Sequence, residues 1–77
     1  MSQKKALVTG GTGFIGTYLC KKLLSLGWKV NIIDLKKTKD SEMIKKCNFF
    51  RGNISKINYN HKCFKNVSVI FHLAALP

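Results

Sequence analysis

Acidic side chains are almost missing from this sequence: three aspartates and glutamates stand against 14 lysines and arginines, for a net charge of +11. A surplus of that size suits phosphate neutralisation and invites a nucleic-acid reading. The lysines, however, never run longer than two together and are scattered along the chain. That is the pattern of a solvated basic surface, so no specific nucleic-acid partner is expected. Long apolar runs are missing too, and no stretch is long enough to span a membrane. The start, MSQKKALVTG, has a basic pair but no apolar core and no small-residue cleavage site, so it does not read as a secretory signal. The three cysteines, Cys20, Cys47 and Cys63, are odd in number and form no C-x-x-C pair. A reduced, cytoplasmic setting fits them, with the thiols acting as small apolar side chains. No repeat, low-complexity tract or linker interrupts the 77 residues, which allow one domain at most and a modest core.

What is present is an alternation of apolar strands and polar-faced helices. KALVT, residues 5–9, reads as a short buried strand. A helix is expected over residues 13–26, with Ile15, Leu19, Leu23 and Leu26 as its apolar face and Gly27 as its left-handed stop. WKVNIID (28–34) reads as a second strand. TKDSEMIKK (38–46) reads as a short helix capped by Asp40 or Ser41. CNFFRG (47–52) reads as a third strand. Residues 55–66 suggest a loop with a short helix, held by Ile57, Phe64 and Val67. VSVIFHLAA (67–75) is a fourth strand, apolar nearly throughout. This order implies parallel pairing through crossovers, and continuous apolar strands agree with a sheet covered on both faces.

Between the first strand and the first helix lies GGTGFIG, residues 10–16. Gly11, Gly13 and Gly16 make G-x-G-x-x-G; Gly10, Gly13 and Gly16 make G-x-x-G-x-x-G. A glycine turn in that position makes a phosphate site: one glycine for the tight turn, one for close approach of a pyrophosphate, one for packing helix on strand. The helix N-terminus adds free N–H groups and the positive end of a dipole. No G-K-[ST] follows, which disfavours a nucleoside triphosphate loop. Asp34 ends the second strand, eighteen residues after Gly16. A carboxylate there can accept from ribose hydroxyls and would repel a 2′-phosphate, so NAD is favoured over NADP, although Lys36 and Lys37 stand close behind.

These residues carry a family likeness. ALVTGGTGFIGTYLCKKLLSLGWKV, then Asp34, FFRGNIS and VIFHLAA, resemble the N-terminal half of the extended short-chain dehydrogenase/reductase family. Within it they resemble the NAD-dependent epimerases/dehydratases, many of which act on nucleotide sugars. The resemblance implies a Rossmann-like α/β fold, a three-layer parallel sheet with strand order 3-2-1-4 and an incomplete second half. It implies NAD as cofactor. Gly10, Gly13 and Gly16 would form the phosphate turn, with Phe14 and Ile15 starting the helix over the pyrophosphate and Asp34 on the adenosine ribose. Asn53 and Ile54 would flank the adenine, asparagine standing where the family has an acid. Ala74 and Ala75 would border the pyrophosphate and nicotinamide. His72 reads as a packed strand residue rather than a catalyst.

The family's chemistry, hydride transfer with the nicotinamide, needs a tyrosine, a lysine four residues later and a nearby serine or threonine. Tyr18 and Lys22 match the spacing but lie on the first helix, beside the phosphate turn, and are set aside. Residues 1–77 therefore read as the N-terminal part of a dinucleotide-binding domain without catalytic residues and without the substrate domain. A nucleotide-sugar substrate would belong to a longer enzyme. The alternatives are a standalone non-catalytic binding or interaction module, or a truncated relic. The fourth strand would lie at an open edge, where self-association is expected.

Overall fold

The computed structural model describes residues 4–36 and 41–73. The strands are β1 (Lys5–Thr9), β2 (Lys29–Asp34), β3 (Asn48–Arg51) and β4 (Val69–His72); the helices are α1 (Phe14–Ser25) and α2 (Ser41–Lys46). Two single 3₁₀ turns, Ile54–Lys56 and Lys62–Phe64, take the place of the short helix expected after β3. All strands pair in parallel, in the order β3-β2-β1-β4. The 3-2-1-4 expectation therefore holds. The cap expected from Asp40 or Ser41 and the alanines at 74 and 75 involve side chains outside the described residues.

Alternation along the strands divides the apolar residues between two cores. Ala6, Val8, Val30 and Ile32 face the helices, where Cys20, Leu23, Met43 and Cys47 close over them. Leu7 and Ile33 face the other way, onto Cys63, with Ile54, Ile57, Phe64 and Val67 packed around them. The sheet is thus a middle layer between the helices and the segment of 3₁₀ turns. Two polar residues, Thr9 and Asn31, are buried in this interior. Asn31, 2% exposed, donates from Nδ2 to the Cys63 carbonyl at 2.9 Å and accepts at Oδ1 from Asn48 Nδ2 at 3.1 Å. Both ends of its amide are satisfied, as burial requires. The same bonds pin the 3₁₀ segment to β2 and β3.

The helix α1 sits differently from the face read in the sequence. Its buried residues are Gly16, Cys20 and Leu23, whereas Ile15 is 69% exposed and Leu26 also lies outside. The reason is steric. The helix approaches the chain most closely where it carries its smallest residues, and this turns Ile15 away from the sheet. The helix ends at Leu26, with Gly27 at φ +86°. Gly27 N–H donates to the Leu24 carbonyl and Trp28 N–H to the Leu23 carbonyl, both at 3.0 Å, the paired bonds of a Schellman stop.

The three cysteines are buried, and no disulfide joins them. Burial, aided by the neighbouring Cys47, pushes the Cys20 thiol up to about 12, so it packs as an apolar group and is not poised as a nucleophile. At β4 the expectation of a sheet covered on both faces is not met. Val69, Ile70 and Leu73 are exposed, because β4 has a hydrogen-bonded neighbour, β1, on one side only among the described residues.

Candidate functional site

Parallel pairing brings the carboxyl ends of all four strands to one edge of the sheet, and the glycine turn lies there. Gly10 continues the ladder, its N–H donating to the Ile33 carbonyl at 3.0 Å. It then reverses the chain at φ +73°, a conformation glycine adopts without strain. Gly13 N–H donates to the Gly10 carbonyl at 3.2 Å, and Thr17 N–H to the Gly13 carbonyl at 2.8 Å, which starts α1. Gly16 is required by packing, since a Cβ there would fall on the Gly10 carbonyl oxygen and 2.7 Å from Gly11 Cα. Gly11 is itself pressed against Ile32, whose Cγ2 lies 2.7 Å from where a Cβ would stand.

Gly13 is different. Its φ is −74°, and a Cβ would meet nothing nearer than the Gly10 oxygen, at an ordinary 3.6 Å. Nothing inside the described chain demands glycine at this exposed position. It is also the N-cap of α1, with no side-chain cap bond and no acidic residue in the first turn. The first N–H groups of the helix therefore lack the usual side-chain partner.

Asp34 closes the turn from the side. Its Oδ2 accepts from Thr12 Oγ1 at 2.6 Å and Thr12 N–H at 3.1 Å, and its Oδ1 accepts from Lys36 N–H at 3.2 Å. Partial burial raises the carboxyl pKa, but the bonds from the Thr12 hydroxyl and from the N–H groups of Lys36, Thr12 and Leu35 outweigh it. The net effect holds the group below its ordinary 3.8. Asp34 is thus ionised and oriented before any ligand arrives.

The remaining expected residues are distributed around this centre. Phe14 is 93% exposed and, with Ile15, stands on the open surface of the first helical turn. Asn53 follows β3, one strand beyond Asp34. Its Oδ1 is occupied, accepting from Ser55 N–H at 3.0 Å and Ser55 Oγ at 2.7 Å, which leaves the amide NH₂ as the group free of that cap. Ile54 packs against the Leu7, Ile33 and Cys63 core rather than projecting from it. Ala74 and Ala75 lie outside the described residues. His72 is exposed, not packed. Its Nδ1 lies 2.9 Å from Thr9 Oγ1, which also accepts from Leu73 N–H at 3.0 Å, a tie between the ends of β4 and β1. The residue missed in the sequence is Thr12. Its signal was a hydroxyl inside the glycine turn, but its partner is 22 residues away.

A glycine turn joining β1 to α1 at the carboxyl edge of a parallel 3-2-1-4 sheet defines a Rossmann-like α/β protein. The chain matches the NAD dependent epimerase/dehydratase family over residues 6–77 and belongs to it. It is 34% identical over 74 residues to a sterol-4-alpha-carboxylate 3-dehydrogenase, decarboxylating, of Mus musculus, covering 96% of this chain and 20% of that one. It is 36% identical over 84 residues to a UDP-N-acetyl-alpha-D-glucosaminuronate decarboxylase of Bacillus cytotoxicus, covering 96% and 24%. Among solved structures, MoeE5 in complex with UDP-glucuronic acid and NAD superposes with a TM-score of 0.78 at 38% identity, covering 95% of this chain and 23% of that one. The chain thus spans between a fifth and a quarter of the length of these relatives, and it resembles their N-terminal, NAD-binding part.

Proposed function

We propose that residues 1–77 are the N-terminal part of a Rossmann domain that binds NAD, and that the protein transforms a nucleotide sugar. In this reading Gly10, Gly13 and Gly16 shape the phosphate turn and Phe14 and Ile15 flank the pyrophosphate. Asp34 receives the adenosine ribose, Asn53 and Ile54 border the adenine, and Ala74 and Ala75 border the nicotinamide half. The observation that carries the reading is Gly13, where no described atom crowds a Cβ and where glycine leaves room for something outside the chain to approach its Cα. The uncapped N-terminus of α1 beside it suits a pyrophosphate. NAD supplies the hydride chemistry when bound. The groups that move protons, and the substrate domain, belong outside these residues in this proposal.

The nucleotide-sugar assignment leans on the family and on MoeE5, which was solved with UDP-glucuronic acid. The likeness to a sterol-4-alpha-carboxylate dehydrogenase favours a second reading. Turnover of a sterol 4α-carboxylate and of no nucleotide sugar would replace the first with the second. The cofactor reading has its own test, a side-by-side titration with NAD and NADP. Because Asp34 is ionised and fixed, NAD should bind at least about tenfold more tightly; equal or reversed affinities defeat the assignment of Asp34.

Two further proposals concern the surroundings. Cysteines not joined in a disulfide suit a reducing, cytoplasmic compartment; among the described residues no helix is long and apolar enough to cross a membrane. The open edge of β4, with Ile70 52% exposed, is proposed to support self-association, whereas the dispersed lysines suit no specific nucleic acid. Light scattering over a concentration series should show mass rising with concentration, and Ile70→Lys should suppress the rise. A monomer mass throughout defeats the proposal.

A further inference from the structure

Lysines that lie scattered along the sequence are gathered by the fold. Strands start and helices end at the amino edge of the sheet, opposite the glycine turn. Lys5 and Lys29 open β1 and β2 side by side. Lys22 lies in the last turn of α1, and Lys45 and Lys46 in the last turn of α2. Asp34, one of the two carboxylates among the described residues, stands at the opposite edge, at the end of β2. A cleft of about 600 Å³ opens at the basic edge, between the end of α1 and α2. Leu24, Trp28 and Met43 give it apolar walls, and Lys21, Lys29 and Lys46 set three ammonium groups against one carboxylate, Glu42. Trp28 is half-buried, and Lys4 Nζ sits 5.4 Å from the centre of its ring, which adds a further cation beside the cleft.

We propose that this cleft is a second binding site, for a phosphate monoester carried on an apolar body. A monoester brings a charge of about −1.5 to −2 at neutral pH, which matches the surplus of two positive charges on the lining. Lysine ammonium groups bind phosphate as point charges and need no fixed fork. The field of the basic edge concentrates anions in a cleft with low-dielectric walls. Inorganic phosphate would leave those walls wet. An apolar body removes Leu24 and Trp28 from water, and a ring gains further by stacking on the indole. The volume suits a ligand of that size. The site lies a strand's length from the glycine turn, about 16 Å for the five residues of β1, and it does not depend on the cofactor reading.

Trp28 is the only tryptophan in the 77 residues, so the NMR signal of its indole N–H reports on the cleft. The protein is titrated with phenyl phosphate and with hexyl phosphate at fixed ionic strength, with NAD absent or saturating. Inorganic phosphate and phenol are the controls for charge alone and for an apolar body alone. Both esters should shift the signal saturably, with Kd below about 1 mM, whether or not NAD is present. Each control should bind at least about tenfold more weakly. Tighter binding of phenyl phosphate supports an aromatic source of the ester, such as a nucleoside monophosphate; tighter binding of hexyl phosphate supports an acyl source, such as a lipid phosphate. Lys29→Gln and Lys46→Gln together should weaken both esters about tenfold while leaving the protein folded. Inorganic phosphate binding as tightly as the esters means a diffuse counterion atmosphere and overturns the site. Phenol binding as tightly, displacement of the esters by NAD, or indifference to the paired lysine substitutions overturns it equally.

Discussion

Gly13→Val should lower NAD affinity at least about a hundredfold, roughly 2.7 kcal/mol, while leaving the protein folded. The space at Gly13 is open on the protein's side: the backbone is at φ −74°, and the nearest internal atom to a Cβ is 3.6 Å away. Valine therefore creates no internal clash. Its cost to folding is that of a poorer helix N-cap, about 1 kcal/mol. On the outer side, however, its methyl groups occupy the position from which a pyrophosphate would reach the first N–H groups of α1. The variant should melt within about 8 °C of the wild type and fail to bind. Retained NAD affinity in a folded variant means that no phosphate approaches this Cα, and the phosphate-turn assignment is then wrong.

Gly16→Val, the same substitution three residues later, should do the reverse. A Cβ at Gly16 would overlap the Gly10 carbonyl oxygen and lie 2.7 and 2.9 Å from Gly11 Cα and carbonyl carbon. All three are backbone atoms, which cannot swing aside as a side chain can. Relief requires α1 to lift from the turn, opening the core over Ala6 and Val8. Overpacking of this kind costs about 3 kcal/mol or more, from a chain of this length that has only several kcal/mol in total. The expected result is a melting temperature lowered by more than about 12 °C, or no cooperative transition at all. A melting curve matching the wild type overturns the close-packing role of Gly16. Together the two variants separate a glycine kept for a ligand from a glycine kept for the fold.

Much of this was legible in the linear sequence. The strands, their parallel pairing and the position of the turn follow from ALVT, the glycines and VIFH, because apolar runs and glycine spacing report strong local constraints; the order 3-2-1-4 is what the family resemblance implied. The facing of α1 was not legible. Periodicity marks Ile15 as apolar, but the helix is seated by the absence of a side chain at Gly16, and a hydrophobic count cannot register an absence. Thr12 and Asn31 were missed for another reason: each acquires its role from a partner far along the chain, Asp34 and Cys63. His72 was expected to pack, yet it is exposed, since β4 lacks an outer neighbour among the described residues and only its bond to Thr9 engages it.

The register of the central strands bears on how the molecule is made. β1 pairs with β2 on one side, Ala6 against Val30, and with β4 on the other, Ala6 against Val69. The first contact closes a short loop and forms early; the second spans most of the chain and forms late. During synthesis β1, the strand that carries the glycine turn, is therefore an edge strand until residues 69–72 leave the ribosome. Its free side is then the apolar ladder of Ala6, Leu7 and Val8, at the stage when a nascent chain is most prone to pair with the wrong strand. Covering of the free side of β1 thus waits on the arrival of β4.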